Sequence, residues 1–405
     1  MDHIHELLTR GVDTIYPSYE ALEKILRSGK KLKLYQGFDP TGTQLHLGHM
    51  VGFRKLAQWQ RLGHRVIFLI GDGTGQAGDP SGKLTARDKF LTRDQLRTNA
   101  KDYVKQASKI VNFEGENPVE ILFNADWLNE LKLVDILDIA GRFSLQQLAE
   151  RDLFQERIKK GESVNLREFL YPLLQGYDSV AMKVDLELGG SDQTFNMLVG
   201  RTLVQEMLHK EKFVMTTPLL TDAKGRKIGK TEGNVIALTD NPNDLYGKVM
   251  ALPDEVVIKG LEYLTDVAMT EINAFEYAMK KGENPIKFKK ILAFEIVKQL
   301  HDEKNAENAE NHFGKTIQQK ELSTAIPKVS LPLTKVSGLS VADVLFETNM
   351  AASISEAKRL IQQGGVKING EVLASPSDPF DQFMNEDKII IQVGKLKSLE
   401  ITIEK

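Results

Sequence analysis

The chain has no cysteine among its 405 residues. That excludes disulfides, thiolate zinc sites and a cysteine nucleophile, and it fits a reducing compartment. No apolar run approaches the roughly 18 residues that a membrane span needs. The opening Met1-Asp-His-Ile-His-Glu6 has neither the basic leader nor the apolar stretch of a secretory signal. A cytoplasmic protein without a membrane partner is therefore expected. Neither sign of charge dominates: the formal net charge is −3, which argues against nucleic-acid binding by bulk charge and leaves local basic patches to do it. Internal repeats are absent too. What remains is a chain 41% hydrophobic, enough to fill the cores of two or three domains.

Leu32, Leu34 and Phe38 read as a short strand, and Val51, Leu56, Ala57 and Trp59 as the apolar face of a helix that ends at Gly63. Between them, His46 and His49 fall where a turn feeds the first helical residues. Backbone N–H groups point outward there and favour an anion. The two imidazoles either reach a polyphosphate or simply cap the helix. Residues 1–31 look helical. The run Val66-Ile-Phe-Leu-Ile70 completes a βαβ unit, and further strand–helix alternation to about residue 220 predicts an α/β domain with an open parallel sheet. Ligands are then expected at the carboxyl ends of its strands.

A helix from Asn165 puts Tyr171, Gln175 and Asp178 on one face, at offsets of four and seven. They either line a ligand site or form a buried polar network. The loop Thr221–Asn234 is glycine-rich and basic. It is a solvated turn or a closure over phosphates, but not a P-loop, because Lys224 stands where that motif requires its first glycine. Residues 241–320 read as helical and charged, with Lys280, Lys281, Lys287, Lys289 and Lys290 bunched. The Ser/Thr/Pro-rich stretch 321–337 reads as a linker. A compact α+β module follows, with a helix capped at Ser353 and a glycine turn at Gly364-Gly365.

Taken together, the motifs resemble the bacterial tyrosyl-tRNA synthetases, a family of class I aminoacyl-tRNA synthetases. His46-Leu-Gly-His49 resembles the first family signature and Lys227-Ile-Gly-Lys-Thr231 the second. Gly37-Phe-Asp-Pro-Thr41, Gly78-Asp-Pro-Ser-Gly82, Tyr171–Asp178 and Gly189-Gly-Ser-Asp-Gln193 lie between them in the family order. The resemblance spans essentially the whole chain. It implies a Rossmann-like parallel-sheet catalytic domain (1–235), a helical anticodon-arm domain (236–322), a linker (323–337) and an S4-like RNA-binding domain (338–405). The last of these has seven Lys and Arg against ten Asp and Glu, so its RNA contacts should be local, at Lys358, Arg359 and Lys367.

The resemblance also implies roles. Tyr35 and Asp178 match residues that bond the substrate phenol. Asp79, Tyr171 and Gln175 match those that hold its ammonium group, and Gln193 matches a contact to its polar backbone atoms. Gly37, Asp39, Thr41, Gly48, Gly190 and Asp192 match ATP contacts, and His46 and His49 match phosphate contacts. Lys83, Arg87, Lys227, Lys230 and Thr231 match the mobile groups that close on pyrophosphate. Ile228 stands where a Phe is common, and Glu187 where some members have Gln. The implied reaction joins L-tyrosine to ATP, brought with Mg2+ as co-substrate, and passes the tyrosyl group to tRNA(Tyr). A homodimer without a structural metal is implied as well. The sister tryptophan enzymes share both signatures, but an indole site has no use for the Tyr35/Asp178 pair.

Overall fold

The computed structural model describes all residues except 1, 80–90, 150–151, 223–224, 226–227, 229–234, 316–326, 374, 385–387, 395–396 and 405. The chain forms two units, Met1–Glu310 and Asn311–Lys405. The first is built on six strands: β1 (Thr14–Tyr16), β2 (Lys33–Phe38), β3 (Arg65–Ile70), β4 (Glu120–Phe123), β5 (Leu186–Gly190) and β6 (Phe213–Thr217), in the order β1-β6-β5-β2-β3-β4. From β6 to β4 every neighbouring pair is parallel. The apolar run of β3 is buried at all but its first residue, as in a strand covered on both faces.

The edge differs from a purely parallel sheet, because β1 runs antiparallel to β6. The reading of residues 1–31 as helical misses this strand, which lies between helices His3–Thr9 and Tyr19–Arg27. Three residues are too few to show a period. Only their partners reveal the strand: Asp13 N–H bonds the Thr216 carbonyl at 2.8 Å and Thr14 N–H bonds Thr216 Oγ1 at 2.9 Å.

The sheet's connectivity makes a crevice. From β2 the chain proceeds to β3 and β4 on one side, then crosses to β5 and β6 on the other. The loops leaving the carboxyl ends of β2 and β5 therefore diverge, and ligands bind open α/β sheets at such a reversal. The loop after β2 feeds the helix Leu47–Arg61, called here the histidine helix. Leu47, Met50, Phe53, Leu56 and Trp59 are all fully buried along it. Phe53 packs against Phe38 of β2 and Phe68 of β3, with ring centroids 5.2 and 5.9 Å apart. Two of its charged residues are inside as well. Lys55 Nζ donates to the carbonyls of Leu7 (2.9 Å) and Arg10 (2.6 Å), and Arg54 donates to the Thr265 carbonyl and to Asp266. Burial, with Arg10 nearby, pulls the Lys55 ammonium down to about 7.

The helices Pro242–Met250, Val257–Leu264, Met269–Lys280, Ile286–Leu300 and Glu303–Phe313 complete the helical stretch. Its lysines are partly neutralised, since Lys280, Lys287 and Lys289 pair with Glu276, Glu283 and Asp254.

The second unit holds a five-stranded sheet, β7 (Lys328–Pro332), β8 (Val366–Ile368), β9 (Glu371–Val372), β10 (Ile389–Val393) and β11 (Lys397–Glu404), in the order β7-β11-β10-β8-β9. The stretch read as a linker thus contains an edge strand, parallel to β11. Its serines and prolines mask a period of two that turns Val329 and Leu331 onto the core, and Pro332 is tolerated because it ends an edge strand. Val341, Val344, Leu345, Ile361, Ile389, Ile391 and Ile401 fill that core. Lys358 and Arg359 are exposed on helix Ile354–Gln362, and Lys367 is half-buried on β8.

A core of this kind should sustain an isolated domain. Residues 327–405 expressed alone are expected to unfold in one cooperative thermal transition by circular dichroism. Ile391→Ala should lower the fragment's stability by about 2–5 kcal/mol. A non-cooperative melt would show that the fragment needs the rest of the chain.

Candidate active site

The loop after β2 ends on His46, the N-cap of the histidine helix. His46 Nδ1 accepts the Gly48 N–H at 3.1 Å, and His49 Nδ1 accepts the His46 N–H at 3.2 Å, so the two rings cap the helix reciprocally. Their centroids are 4.0 Å apart. A neutral imidazole that accepts at Nδ1 carries its proton on Nε2, so each ring donates from its far nitrogen. Gly48 gives the His46 ring room, since a Cβ there would lie 3.0 Å from His46 Cε1 and push the ring aside. Capping and anion binding are therefore compatible roles. The backbone uses one nitrogen of each ring, and the helix start with the two other nitrogens suits a phosphate.

The crevice holds a cavity of about 820 Å³, within the range of small-molecule sites. Tyr35, Gly37, Asp39, Thr41, His46, Gly48 and His49 line it from β2, the following loop and the start of the histidine helix. Asp79 enters after β3. Tyr171, Gln175 and Asp178 come from helix Leu166–Met182, and Gly190, Asp192 and Gln193 from the end of β5. Residues far apart in sequence thus share one cavity. The remaining candidates, Lys83, Arg87, Lys227, Lys230 and Thr231, lie outside the described residues.

Within the cavity wall many of the polar groups bond one another, while Gln36 Oε1 is buried without a hydrogen-bond partner among the described residues. Asp178 accepts from Trp127 Nε1 (2.8 Å) and Asn124 Nδ2 (3.1 Å). The Tyr35 hydroxyl lies 2.9 Å from Ser179 Oγ. The Tyr171 hydroxyl donates to Asp39 Oδ2 (2.9 Å), and Thr74 Oγ1 donates to Asp39 Oδ1 (2.7 Å). Gln193 Nε2 donates to Asp79 (2.9 Å), Gln175 Nε2 donates to Glu187 (3.0 Å), and Asn196 Nδ2 donates to both glutamine carbonyls. Behind them the fully buried Lys212 donates to Glu187.

Burial is the largest influence on protonation at Asp178, Tyr35, Tyr171 and Lys212. It pushes the Asp178 carboxyl well above its ordinary value, although the bonds from Asn124 and Trp127 act in the opposite direction. It also raises the phenols of Tyr35 and Tyr171, assisted at Tyr35 by Glu187 and Asp178 and at Tyr171 by Asp39 and Asp79. Both phenols therefore keep their protons at neutral pH. Burial lowers the Lys212 ammonium against the opposing pull of Glu187.

Sequence reasoning missed Asn124, Trp127, Ser179, Asn196 and Lys212. Asn124 and Trp127 could have been suspected, since they follow β4 at its carboxyl end. Ser179 and Lys212 carry no local signal. Among the described residues, no group of three or more His, Asp or Glu side chains is placed to hold a metal ion.

Comparison with known proteins identifies the family. Residues 27–318 match the family described as tRNA synthetases class I (W and Y), and residues 341–384 match the S4 domain. A tyrosine–tRNA ligase of Carboxydothermus hydrogenoformans is 40% identical over 99% of this chain and 98% of its own length. One from Thermotoga maritima is 40% identical over 98% and 96%. The solved C-terminally truncated mitochondrial tyrosyl-tRNA synthetase of Coccidioides posadasii is 28% identical, with a TM-score of 0.62, over 76% of this chain and 91% of that one. The crevice, the histidine turn and these matches along nearly the whole length place the chain in one family: it belongs to the class I tRNA synthetases, with the bacterial tyrosine–tRNA ligases as its relatives.

Proposed function

We propose that the chain is a tyrosine–tRNA ligase, activating L-tyrosine with ATP and transferring the tyrosyl group to the 3′ end of tRNA(Tyr). One observation carries the reading. The buried polar pair Tyr35 and Asp178 lines the same cavity as the helix start bearing His46 and His49. A hydroxyl-bearing ring and a polyphosphate are thereby brought into one site.

In the first step the tyrosine carboxylate attacks the α-phosphate of ATP, and pyrophosphate leaves. The nucleophile is already ionised, so no general base is needed. The site must instead align the reactants and offset the charge that grows on the leaving group. His46 and His49 do so through Nε2, with Lys83, Arg87, Lys227, Lys230 and Thr231 as the closing groups. Asp79, Tyr171 and Gln175 hold the ammonium group and Gln193 the polar backbone atoms of the substrate. Gly37, Asp39, Thr41, Gly48, Gly190 and Asp192 take the nucleotide, whose Mg2+ arrives with its phosphates. The helical stretch and the S4 domain take the tRNA. A cytoplasmic homodimer fits the exposed apolar side chains of Leu133, Val134 and Leu137 on helix Leu133–Ala140, with Leu145 and Leu166 also exposed.

Labelled pyrophosphate exchange tests the substrate. Phenylalanine forgoes the hydrogen bonds of the missing hydroxyl to Tyr35 and Asp178, at about 2 kcal/mol each, so L-tyrosine should be activated roughly a thousandfold more efficiently. Equal activation of the two would reject the reading.

The dual use of the histidines gives a second expectation. In His46→Asn the new side chain can still cap the helix, but the imidazole donor is gone. Stopped-flow adenylate formation should slow by about 10²–10³, while the tyrosine dissociation constant changes less than about twofold. A loss confined to tyrosine affinity would assign His46 to the amino acid instead.

Removal of the second unit should separate the two steps. A chain ending at Lys315 is expected to keep tyrosine-dependent exchange near the full rate and to lose most tRNA charging. Lys358→Ala with Arg359→Ala should reproduce part of that loss and flatten the salt dependence of tRNA binding. Intact charging by the shortened chain would exclude a tRNA-holding role for the unit.

A further inference from the structure

His46 is held from outside its own turn by a short segment far along the chain. Within the turn, its N–H donates to His49 Nδ1 and its carbonyl accepts the His49 N–H at 2.9 Å. Its two neighbours bond elsewhere. Leu47 N–H donates to the Ile236 carbonyl (3.1 Å), and the Leu45 carbonyl accepts the Leu238 N–H (2.9 Å), so His46 faces Ala237 in an antiparallel bridge. Leu45, Leu47, Ile236, Ala237 and Leu238 are all buried. One donor that a helix start leaves over is thereby satisfied by residue 236.

The segment 235–238 lies outside the helices and strands named above, so its own fold does not hold it in place. Side chains around it take its backbone groups in turn. Lys248 Nζ donates to the Val235 carbonyl (3.0 Å), and Lys109 Nζ donates to the Leu238 carbonyl (3.0 Å). The Ala237 N–H donates to Asp240 Oδ2 (2.9 Å), and the Ala237 carbonyl accepts the Asp240 N–H (3.1 Å). His301 Nε2 donates to the Asp240 carbonyl (3.0 Å). Lys248 also donates to Asp240 Oδ2 (2.7 Å). Asp240 is therefore the junction, because one carboxylate oxygen takes both the segment and the ammonium that braces it. Such charge-assisted bonds are stronger than neutral ones. Lys248 stands on helix Pro242–Met250 and His301 caps helix Ile286–Leu300, so both braces come from the helical stretch. Neither they nor Asp240 line the cavity.

We infer that Asp240, braced by Lys248 and His301, is a positioning residue for adenylate formation: it holds the segment 235–238 against the histidine turn and so aims the His46 ring. The caps inside the turn fix that ring relative to its helix start, and the bridge fixes the backbone on which the ring stands. A group that must offset charge on a leaving phosphate needs placing to within about 0.5 Å. The inference rests on the tyrosine-activating reading above and concerns its phosphate end.

Stopped-flow adenylate formation and tyrosine binding by the full chain test it. In Asp240→Ala the rate should fall about 10- to 100-fold while the tyrosine dissociation constant changes less than about twofold, as for a group misplaced by a distant change. A residue that acts through His46 loses its effect once the imidazole is gone. Asp240→Ala introduced into His46→Asn should therefore slow the step by less than about threefold further. Lys248→Met, at a half-buried site, is the second variant should the first not fold. It should slow the unaltered protein at least about fivefold and His46→Asn less than about twofold. Unchanged rates in the single variants, a tyrosine affinity that falls in step with the rate, or a full loss retained in His46→Asn would each overturn the inference. An unaltered protein that forms no tyrosyl-adenylate would instead reject the proposed function.

Discussion

The histidine helix is buried along most of its length, and that burial sets the terms for the rest of the first unit. Its apolar residues are held between β2 and β3 by Phe38, Phe53 and Phe68. Its two interior cations would be costly without partners. Arg54 and Lys55 find them in the carbonyls of Leu7, Arg10 and Thr265 and in the Asp266 carboxylate. Arg10 reaches the same Thr265 carbonyl at 2.6 Å. The N-terminal helix, the histidine helix and the helical stretch are therefore joined at one buried polar seam. A helix anchored in this way holds its N-terminal turn still, which an anion site made of two ring nitrogens and a helix start requires.

The cavity obeys a second constraint, that polar groups taken from water must bond one another. Asp178, Glu187, Asp39 and Asp79 each accept from a named donor, and the glutamines at 175 and 193 have their amides oriented by the carboxylates they face. Asn196 then ties the two glutamine carbonyls together. Such a network is worth little as net stability, because a buried ion pair such as Lys212–Glu187 is costly to desolvate. Its value is in orientation. A ligand that enters meets groups whose donors and acceptors are already assigned, so a mismatched ring substituent leaves a partner unpaired.

How much of this was legible beforehand depended on the length of each signal. The strand β3, the histidine turn and the Tyr171/Gln175/Asp178 face carry periods or spacings that survive without neighbours, and the α/β class followed from them. The strand β1 was missed because three residues have no period. The strand β7 was missed because Ser and Pro suggested a linker, although Val329 and Leu331 already alternated. Glu187 drew notice only as a departure from a resembling family, and Lys212 and Ser179 drew none.

The sequence by itself determined which side chains could do chemistry here and in what order along the chain, because residue type and local spacing are properties of the chain alone. Tertiary structure decided which of them meet. Parallel pairing and the reversal of strand order brought residues 35, 79, 178 and 193 to one cavity. It also decided neighbours that no local spacing shows, because folding sets Ser179 2.9 Å from the Tyr35 hydroxyl across 144 residues of chain.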